Sequence, residues 1–457
     1  MNENSLIDAM VEKSRVAQLE FEKFDQSRID RCVKIIAKIV FDNAEKFARM
    51  AVDETGMGNY EDKLKKKLGK SRIIWNSLKS KKSVGILEYD EKTKIALIAK
   101  PVGVVGAVTP CTNPVVTPMC NVMFALKGGN SIIIAPHPRS KKCGKYFVDL
   151  CNEKLSAEKV PADLIQIIEE PTKDLTNELM RKVDVVVATG GMGMVKAAYS
   201  SGKPSFGVGV GNVQVIMDRD IDIKDAVSKI ITGRAFDNGI ICSAEQTVMV
   251  PDEKFDDIVS EFKNNGCHFV SDKEEKQRLR DALFINGVPN KDVIGQEVSK
   301  IAGIAGIDIA AGVKVIVVEA DGTGREDVFC KEKMCPVIAL IRYKNFSEAV
   351  NYAQTNLDFE GKGHSISIHS NNKENIEYAA LNVKVSRILI NQVCATSNGG
   401  SFFNGLAATT TLGCGSWGNN SISENFDYKH LLNISRIAYF NESLKAPSDE
   451  ELWGESL

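Results

Sequence analysis

Apolar residues along the first eighty positions recur at helical spacing. Leu6, Met10 and Val11 open the pattern, and Ile29, Cys32, Val33, Ile36 and Val40 continue it at intervals of three and four. That interval collects them on one face, so this stretch is expected to form helices packed by one side. Ser27 followed by Asp30 resembles a capping box opening the second helix. At Ile86 the pattern changes. The run ILEYDEKTKIALIAKPVGVVGAV (86–108) alternates, is β-branched and is broken by an acidic turn, which reads as an extended hairpin followed by a buried strand. A lone hairpin has unpaired edges and is marginal in water, so this one is expected to pair with another chain.

Over 104–217 short apolar strands alternate with helical stretches: VVGAV, SIIIAP, LIQIIE, VDVVVATG and VQVIMD. This spacing predicts parallel βαβ units and a nucleotide-binding type of sheet. A second α/β region over 219–412 carries TVMVPD, VKVIVVEA, VIALIRY and ISIHS, and the tail adds one more apolar run, NISRIAYF (433–440).

A chain of 457 residues and 50.0 kDa has room for about three structural units. Lys and Arg number 58 against 60 Asp and Glu, a formal charge of −2, which gives no global attraction to nucleic acid or an anionic membrane. Small-molecule chemistry is left as the default. The N-terminus lacks a basic stretch leading into an apolar one, no apolar window of about 18 residues occurs, and a cytoplasmic location is expected. Eleven cysteines without CxxC pairs point to reduced thiols, and the five histidines show no zinc-ligand spacing, so no metal site is expected.

Three segments carry candidate chemistry. VDVVVATGGMGMVKAAYSSG (183–202) is a strand, a glycine turn at Gly190 and Gly191, and a helix start, where backbone amides can meet a pyrophosphate; it also fits a tight turn in any α/β protein. FDNGIICSAEQ (236–246) sets Cys242 after a flexible turn, as a nucleophile or as an inert core thiol. VTPCTNPVVTPMC (108–120) holds Asn113 near two prolines that stiffen the backbone, as an oxyanion donor would need, or as an ordinary Pro-rich entry to a helix.

In this order and spacing the three segments resemble the aldehyde dehydrogenase superfamily. APHPRSKK (135–142), GVGVGN (207–212), GKGHSISIHS (361–370) and TLGCGSWGNNSISEN (411–425) are similar to its coenzyme A-acylating branch. AKPVGVVGAVTPCTNPVVTPMCN (99–121) and KEKMCPVIAL (331–340) look most like members that act on succinate semialdehyde. The resemblance implies an α/β fold with a Rossmann-type cofactor domain (1–84 and 103–218), an α/β catalytic domain (219–417) and a β-hairpin oligomerisation element (85–102 and 418–457). It implies interconversion of succinyl-CoA plus NADPH with succinate semialdehyde plus CoA and NADP. The alternative within the branch is acetaldehyde or another short aldehyde with NAD, and the alternative outside it is a non-catalytic nucleotide-binding or scaffold protein.

The site residues follow from the same resemblance. Cys242 is the implied nucleophile, with the Asn113 amide and the Cys242 N–H as oxyanion donors. Gly207 is expected where hydrolytic relatives carry a water-activating glutamate, leaving CoA as acyl acceptor. Thr109, Pro110, Thr189, Gly190 and Gly191 are expected at the cofactor, and Glu332 at its nicotinamide ribose. His137 and Arg139 are expected at the adenosine ribose, where Arg139, Lys141 and Lys142 could pair with a 2′-phosphate. His364 is expected to assist CoA deprotonation, or else to be structural. Ser243, Thr396, Ser397 and Ser401 could donate to a distal carboxylate, with Arg234 as a possible ion-pair partner. The hairpin and the tail strand are expected to pair across a two-fold axis into a homodimer or a dimer of dimers. An amphipathic N-terminal stretch could alternatively target the protein to a protein-shelled microcompartment.

Overall fold

The helices at the start of the chain are set by the polar residues that precede them. In the computed structural model, which describes residues 5–454, Ser5 caps α1 (Leu6–Phe21) by accepting the Asp8 N–H, and Asp25 caps α2 (Gln26–Asp42) by accepting that of Arg28. The capping box expected from Ser27 and Asp30 is absent. Both residues lie inside α2, and Asp30 accepts from Gln26 and Lys127 instead. Next, α3 (Ala44–Thr55) closes on Gly56 in the left-handed region, and α4 (Tyr60–Leu78) is capped by Asn59. Ile7 and Met10 of α1 pack with Val104 and Ile133, so the amphipathic N-terminal stretch is part of the core rather than a free targeting segment.

The hairpin strands β1 (Gly85–Asp90) and β2 (Ile95–Pro101) are antiparallel, and the far edge of β2 is taken by a strand from the tail of the same chain, Leu432–Ala438. The expected pairing of hairpin with tail across a two-fold axis is therefore corrected: the ladder forms within one chain. Its physical reason is the obligation of the β2 backbone to find partners, which the tail satisfies over seven residue pairs.

The first large sheet is parallel and five-stranded. It contains β3 (Val104–Thr109), β4 (Ser131–Pro136), β5 (Ile165–Ile167), β6 (Val185–Thr189) and β7 (Ser205–Val208) in the order β5-β4-β3-β6-β7. Every residue of β3 and β4 is buried, as expected for strands covered on both faces. Between them runs α5 (Val116–Lys127), also buried throughout; α6 (Lys141–Ser156), α7 (Lys173–Lys182) and α8 (Met192–Tyr199) complete the crossovers. The strand VQVIMD, expected in this sheet, is β8 (Val213–Met217) of the second one. Apolar content marks it as a strand but says nothing about which sheet receives it.

The second sheet is parallel and seven-stranded. It holds β8, β9 (Glu245–Pro251) and β10 (Cys267–Val270), then, after the small hairpin β11 (Phe284–Ile285) and β12 (Val288–Pro289), the strands β13 (Val315–Glu319), β14 (Val337–Tyr343), β15 (Gly363–His369) and β16 (Val385–Ile390). The tail strand is β17.

Between β8 and β9 the chain makes α9 (Ile223–Ala235) and then three successive left-handed residues, Asp237, Asn238 and Gly239. Aspartate, asparagine and glycine are the residues that tolerate this conformation best. Arg234, at the end of α9, is fully buried and donates to three carbonyls: Cys335 at 2.7 Å, Glu245 at 3.0 Å and Gly239 at 3.1 Å. It is thus withdrawn from any role as ion-pair partner for substrate. Arg234→Met removes a donor from three buried carbonyls, of which that of Cys335 keeps the Val337 N–H at 2.7 Å; an acceptor left unpaired costs roughly 1–3 kcal/mol, and the change is expected to lower the thermal midpoint by several degrees in a melt, whereas an unchanged midpoint would show that the carbonyls find other donors.

Candidate active site

Two cavities share Cys242 in their walls, along with Asn113 and Thr410. The larger, about 500 Å³, lies at the carboxyl ends of four strands of the first sheet, where Thr109, Pro136, Thr189 and Val208 face it. In the order β5-β4-β3-β6-β7 the winding reverses between β3 and β6, and open parallel sheets bind ligands in the crevice at that point. Gly190 and Gly191 lead into α8, whose first N–H groups have no side-chain cap, and nothing lies within 4 Å of a side chain added at Gly191. Such a terminus seats a pyrophosphate.

Thr109, Pro110, His137, Thr189, Gly190, Gly191 and Glu332 all line this cleft. Glu332 Oε1 is buried without a hydrogen-bond partner, and burial, then the neighbouring Glu360, raises the carboxyl well above its usual range. A neutral carboxyl with one open oxygen suits a sugar hydroxyl, so the cleft fits a nicotinamide dinucleotide on its own geometry. Arg139 is not in the cleft. Its guanidinium donates to the Thr55 carbonyl at 2.6 Å, Lys141 pairs with Glu170, and the Glu54 carboxylate takes the Lys142 and Cys143 N–H groups at 2.7 and 2.8 Å. Arg139, Lys141 and Lys142 line neither cavity, whereas Lys173 lines the cleft.

At Gly207 a Cβ would stand 2.9 Å from the Tyr199 ring and 3.0 Å from Val195 on α8. Among the described residues Glu332 is the one carboxylate lining either cavity.

The smaller cavity, about 220 Å³, lies between α4 and the segment around the short helix Cys394–Ser397. Its apolar walls include Ile73, Val116 and Leu412, and into it come Lys65, Lys66 and Lys70 together with Thr396, Thr409 and Thr410. These lysines were not singled out by sequence. The signal was present: Lys63, Lys66, Lys67 and Lys70 recur at helical spacing, and Lys63 and Lys67 are buried. Lys70 donates to the Gly399 carbonyl at 2.9 Å, and burial lowers its ammonium to about 8. Thr410 Oγ1 is buried and unpartnered. Ser243 lines the cavity, but its proton goes to the Ala395 carbonyl at 3.0 Å, so it cannot donate to a ligand at the same time. Ser397 and Ser401 line neither cavity.

His364 is fully buried at the start of β15, outside both cavities, with neither ring nitrogen partnered. Burial, helped by Arg387, pushes it down to about 3, so it stays neutral. Cys242 itself is half-buried, and among the described residues no backbone carbonyl accepts its N–H. Gly211 lies against it so closely that a Cβ there would stand 2.0 Å from the Cys242 carbonyl oxygen.

The aldehyde dehydrogenase family profile matches residues 2–277. The chain belongs to the aldehyde dehydrogenase family. It is 51% identical over 454 residues to a succinate-semialdehyde dehydrogenase (acetylating) of Clostridium kluyveri, covering 99% of this chain and 100% of that one. It is 43% identical to a sulfoacetaldehyde dehydrogenase of an Acholeplasma species, with 98% and 93% of the two chains covered. Among solved structures it matches an acetylating aldehyde dehydrogenase from Geobacillus thermoglucosidasius with a TM-score of 0.93 at 38% identity, over 96% and 98% of the chains. Among the described residues of this aldehyde dehydrogenase no cluster of metal-ligating side chains occurs, and no helix is long and apolar enough to cross a membrane.

Burial, then Glu332, pushes the Cys242 thiol up to about 12, against Arg387, which lowers it. The thiolate is the reactive form, so without ligands its fraction rises about tenfold per pH unit below that value. Inactivation by iodoacetamide is expected to accelerate log-linearly from pH 6 to 9 with no plateau; a plateau near neutrality would show that the free enzyme already holds a thiolate.

Proposed function

We propose that this enzyme is a CoA-acylating succinate-semialdehyde dehydrogenase working with NADPH. The observation that carries the substrate is the smaller cavity: a lysine-bearing, hydroxyl-rich end on an otherwise apolar chamber, beside the sulfur. Acetaldehyde has nothing to offer an ammonium group, whereas a distal carboxylate does. Lys70 is the principal partner, since Lys65 is engaged by Asp62 and Lys66 by Asn113 and Asp237.

Cys242 attacks the thioester carbonyl of succinyl-CoA, its proton leaves with CoA as the free thiol, and the succinyl group remains on the sulfur. The oxyanion formed at attack is met by the Asn113 amide and the Cys242 N–H. NADPH, when bound, supplies the hydride. Glu332 and the α8 terminus hold and orient it, and as the carbon–sulfur bond breaks the Cys242 sulfur recovers a proton from solvent. The neutral Glu332 cannot activate water, which supports CoA rather than hydrolysis as the acyl partner. For NADPH over NADH the support is Lys173 on the cleft wall, with no carboxylate other than Glu332 beside it. Exposed Ile86, Tyr89 and Ile437 on the three-stranded sheet, with Tyr439 and Phe440 just beyond its last strand, support a homodimer, which sedimentation would read as twice 50.0 kDa.

Lys70→Met is expected to lower kcat/KM for succinyl-CoA about ten- to hundredfold while acetyl-CoA is little changed. Equal losses would assign the cavity to general shape. In the unaltered enzyme the ratio of kcat/KM for succinyl-CoA to that for acetyl-CoA is expected to fall as pH rises through about 8, because Lys70 then loses its charge in the free enzyme. A flat ratio would contradict the ion pair.

A further inference from the structure

An asparagine serves an oxyanion only if its amide presents nitrogen. The two ends of an amide are nearly isosteric, so the surroundings must choose between them. Asn113 Oδ1 accepts from the Lys66 ammonium at 2.8 Å, and Nδ2 takes no partner among the described residues. An ammonium is donor only, so it accepts one orientation of the amide and rejects the other.

Lys66 is itself anchored. Its Nζ lies 2.6 Å from Asp237 Oδ2, which also takes Lys63 at 3.1 Å. Burial would raise the Asp237 carboxyl, but Lys66 and Lys63 outweigh it and hold it below its usual range. Asp237 Oδ1 accepts the Asn59 N–H at 3.1 Å, and the Asp237 N–H is donated to Asp62 at 2.9 Å. Gly58 leaves the space this requires, since a Cβ there would stand 1.8 Å from Asp237 Oδ1. The left-handed turn ahead of Cys242 and the start of α4 thus converge on one ammonium, and that ammonium touches Asn113.

We propose that Lys66, held by the buried Asp237, is a positioning residue that locks the Asn113 amide with its nitrogen toward the reacting carbonyl. The inference rests on Asn113 being the oxyanion donor. Because Lys66 also lines the substrate cavity, positioning must be separated from carboxylate binding. Positioning acts on every acyl group alike; carboxylate binding acts on succinyl alone.

The test is the rate constant of enzyme acylation by succinyl-CoA and by acetyl-CoA in rapid-quench experiments, with NADPH affinity measured alongside. Asn113→Ala is expected to lose on the order of 100-fold. Lys66→Met leaves the Lys63–Asp237 pair in place, and is expected to lose on the order of tenfold with both acyl groups at unchanged NADPH affinity, as an unlocked amide samples unproductive orientations. Lys66→Arg, still donor only, is expected to recover to within about threefold of the unaltered enzyme. The double variant Lys66→Met/Asn113→Ala is expected to be no slower than Asn113→Ala alone. Should Lys66→Met fail to bind NADPH, Lys66→Gln replaces it, with a smaller loss expected, equal for both acyl groups. A loss confined to succinyl-CoA, or full additivity in the double variant, overturns the positioning role while leaving Asn113 in place. A normal rate for Asn113→Ala overturns the oxyanion assignment itself, and the role of Lys66 with it.

Discussion

A guanidinium buried without solvent has to place its donors on protein acceptors, and Arg234 places them on the carbonyls of Gly239, Glu245 and Cys335. Gly239 and Glu245 bracket the loop that carries Cys242, and Cys335 ends the segment that carries Glu332. One side chain therefore fixes the nucleophile and the cofactor carboxyl in a common frame. Neither loop has regular backbone pairing of its own across these positions, so the frame is set by this cation and by the strands on either side. The same loop is tied to the substrate wall, where Ser243 donates to Ala395 and Glu245 accepts the Cys394 N–H at 2.7 Å.

That frame explains why a single sulfur can serve two cavities. On one side the carboxyl ends of a parallel sheet and the open start of α8 receive a dinucleotide; on the other, α4 brings lysines to an apolar chamber. Helical spacing sorts these lysines by depth. Lys63 turns inward to Asp237, Lys66 bridges Asp237 and Asn113, and Lys70 reaches the chamber. A buried cation is costly unless paired, and Asp237 in its left-handed turn is the pairing group.

Much of this was legible in the sequence where local pattern decides. The strand VIALIRY has the predicted limits, and the glycine turn at Gly190, the thiol at Cys242 and the amide at Asn113 meet in one cleft as the resemblance implied. What was not legible depended on partners far along the chain. Residues 213–217 read as a strand without revealing its sheet, and the hairpin's need for a partner did not say that the partner is its own tail. Arg139 and Arg234 looked like ligand groups because charge is visible in a sequence, whereas the carbonyls that consume it are not. The lysines of α4 drew no reading at all for the converse reason: nothing local announces that Asp237 will be brought against them.

The central claim is that succinyl-CoA is reduced through a thioester on Cys242 in a cleft that cannot activate water. Mixing the enzyme with succinyl-CoA in the absence of NADPH, then digesting it for mass spectrometry, tests this directly. One succinyl group is predicted on the peptide carrying Cys242, persisting until CoA or NADPH is added and then lost. No adduct, an adduct elsewhere, or spontaneous release of free succinate at a rate comparable to turnover would contradict it.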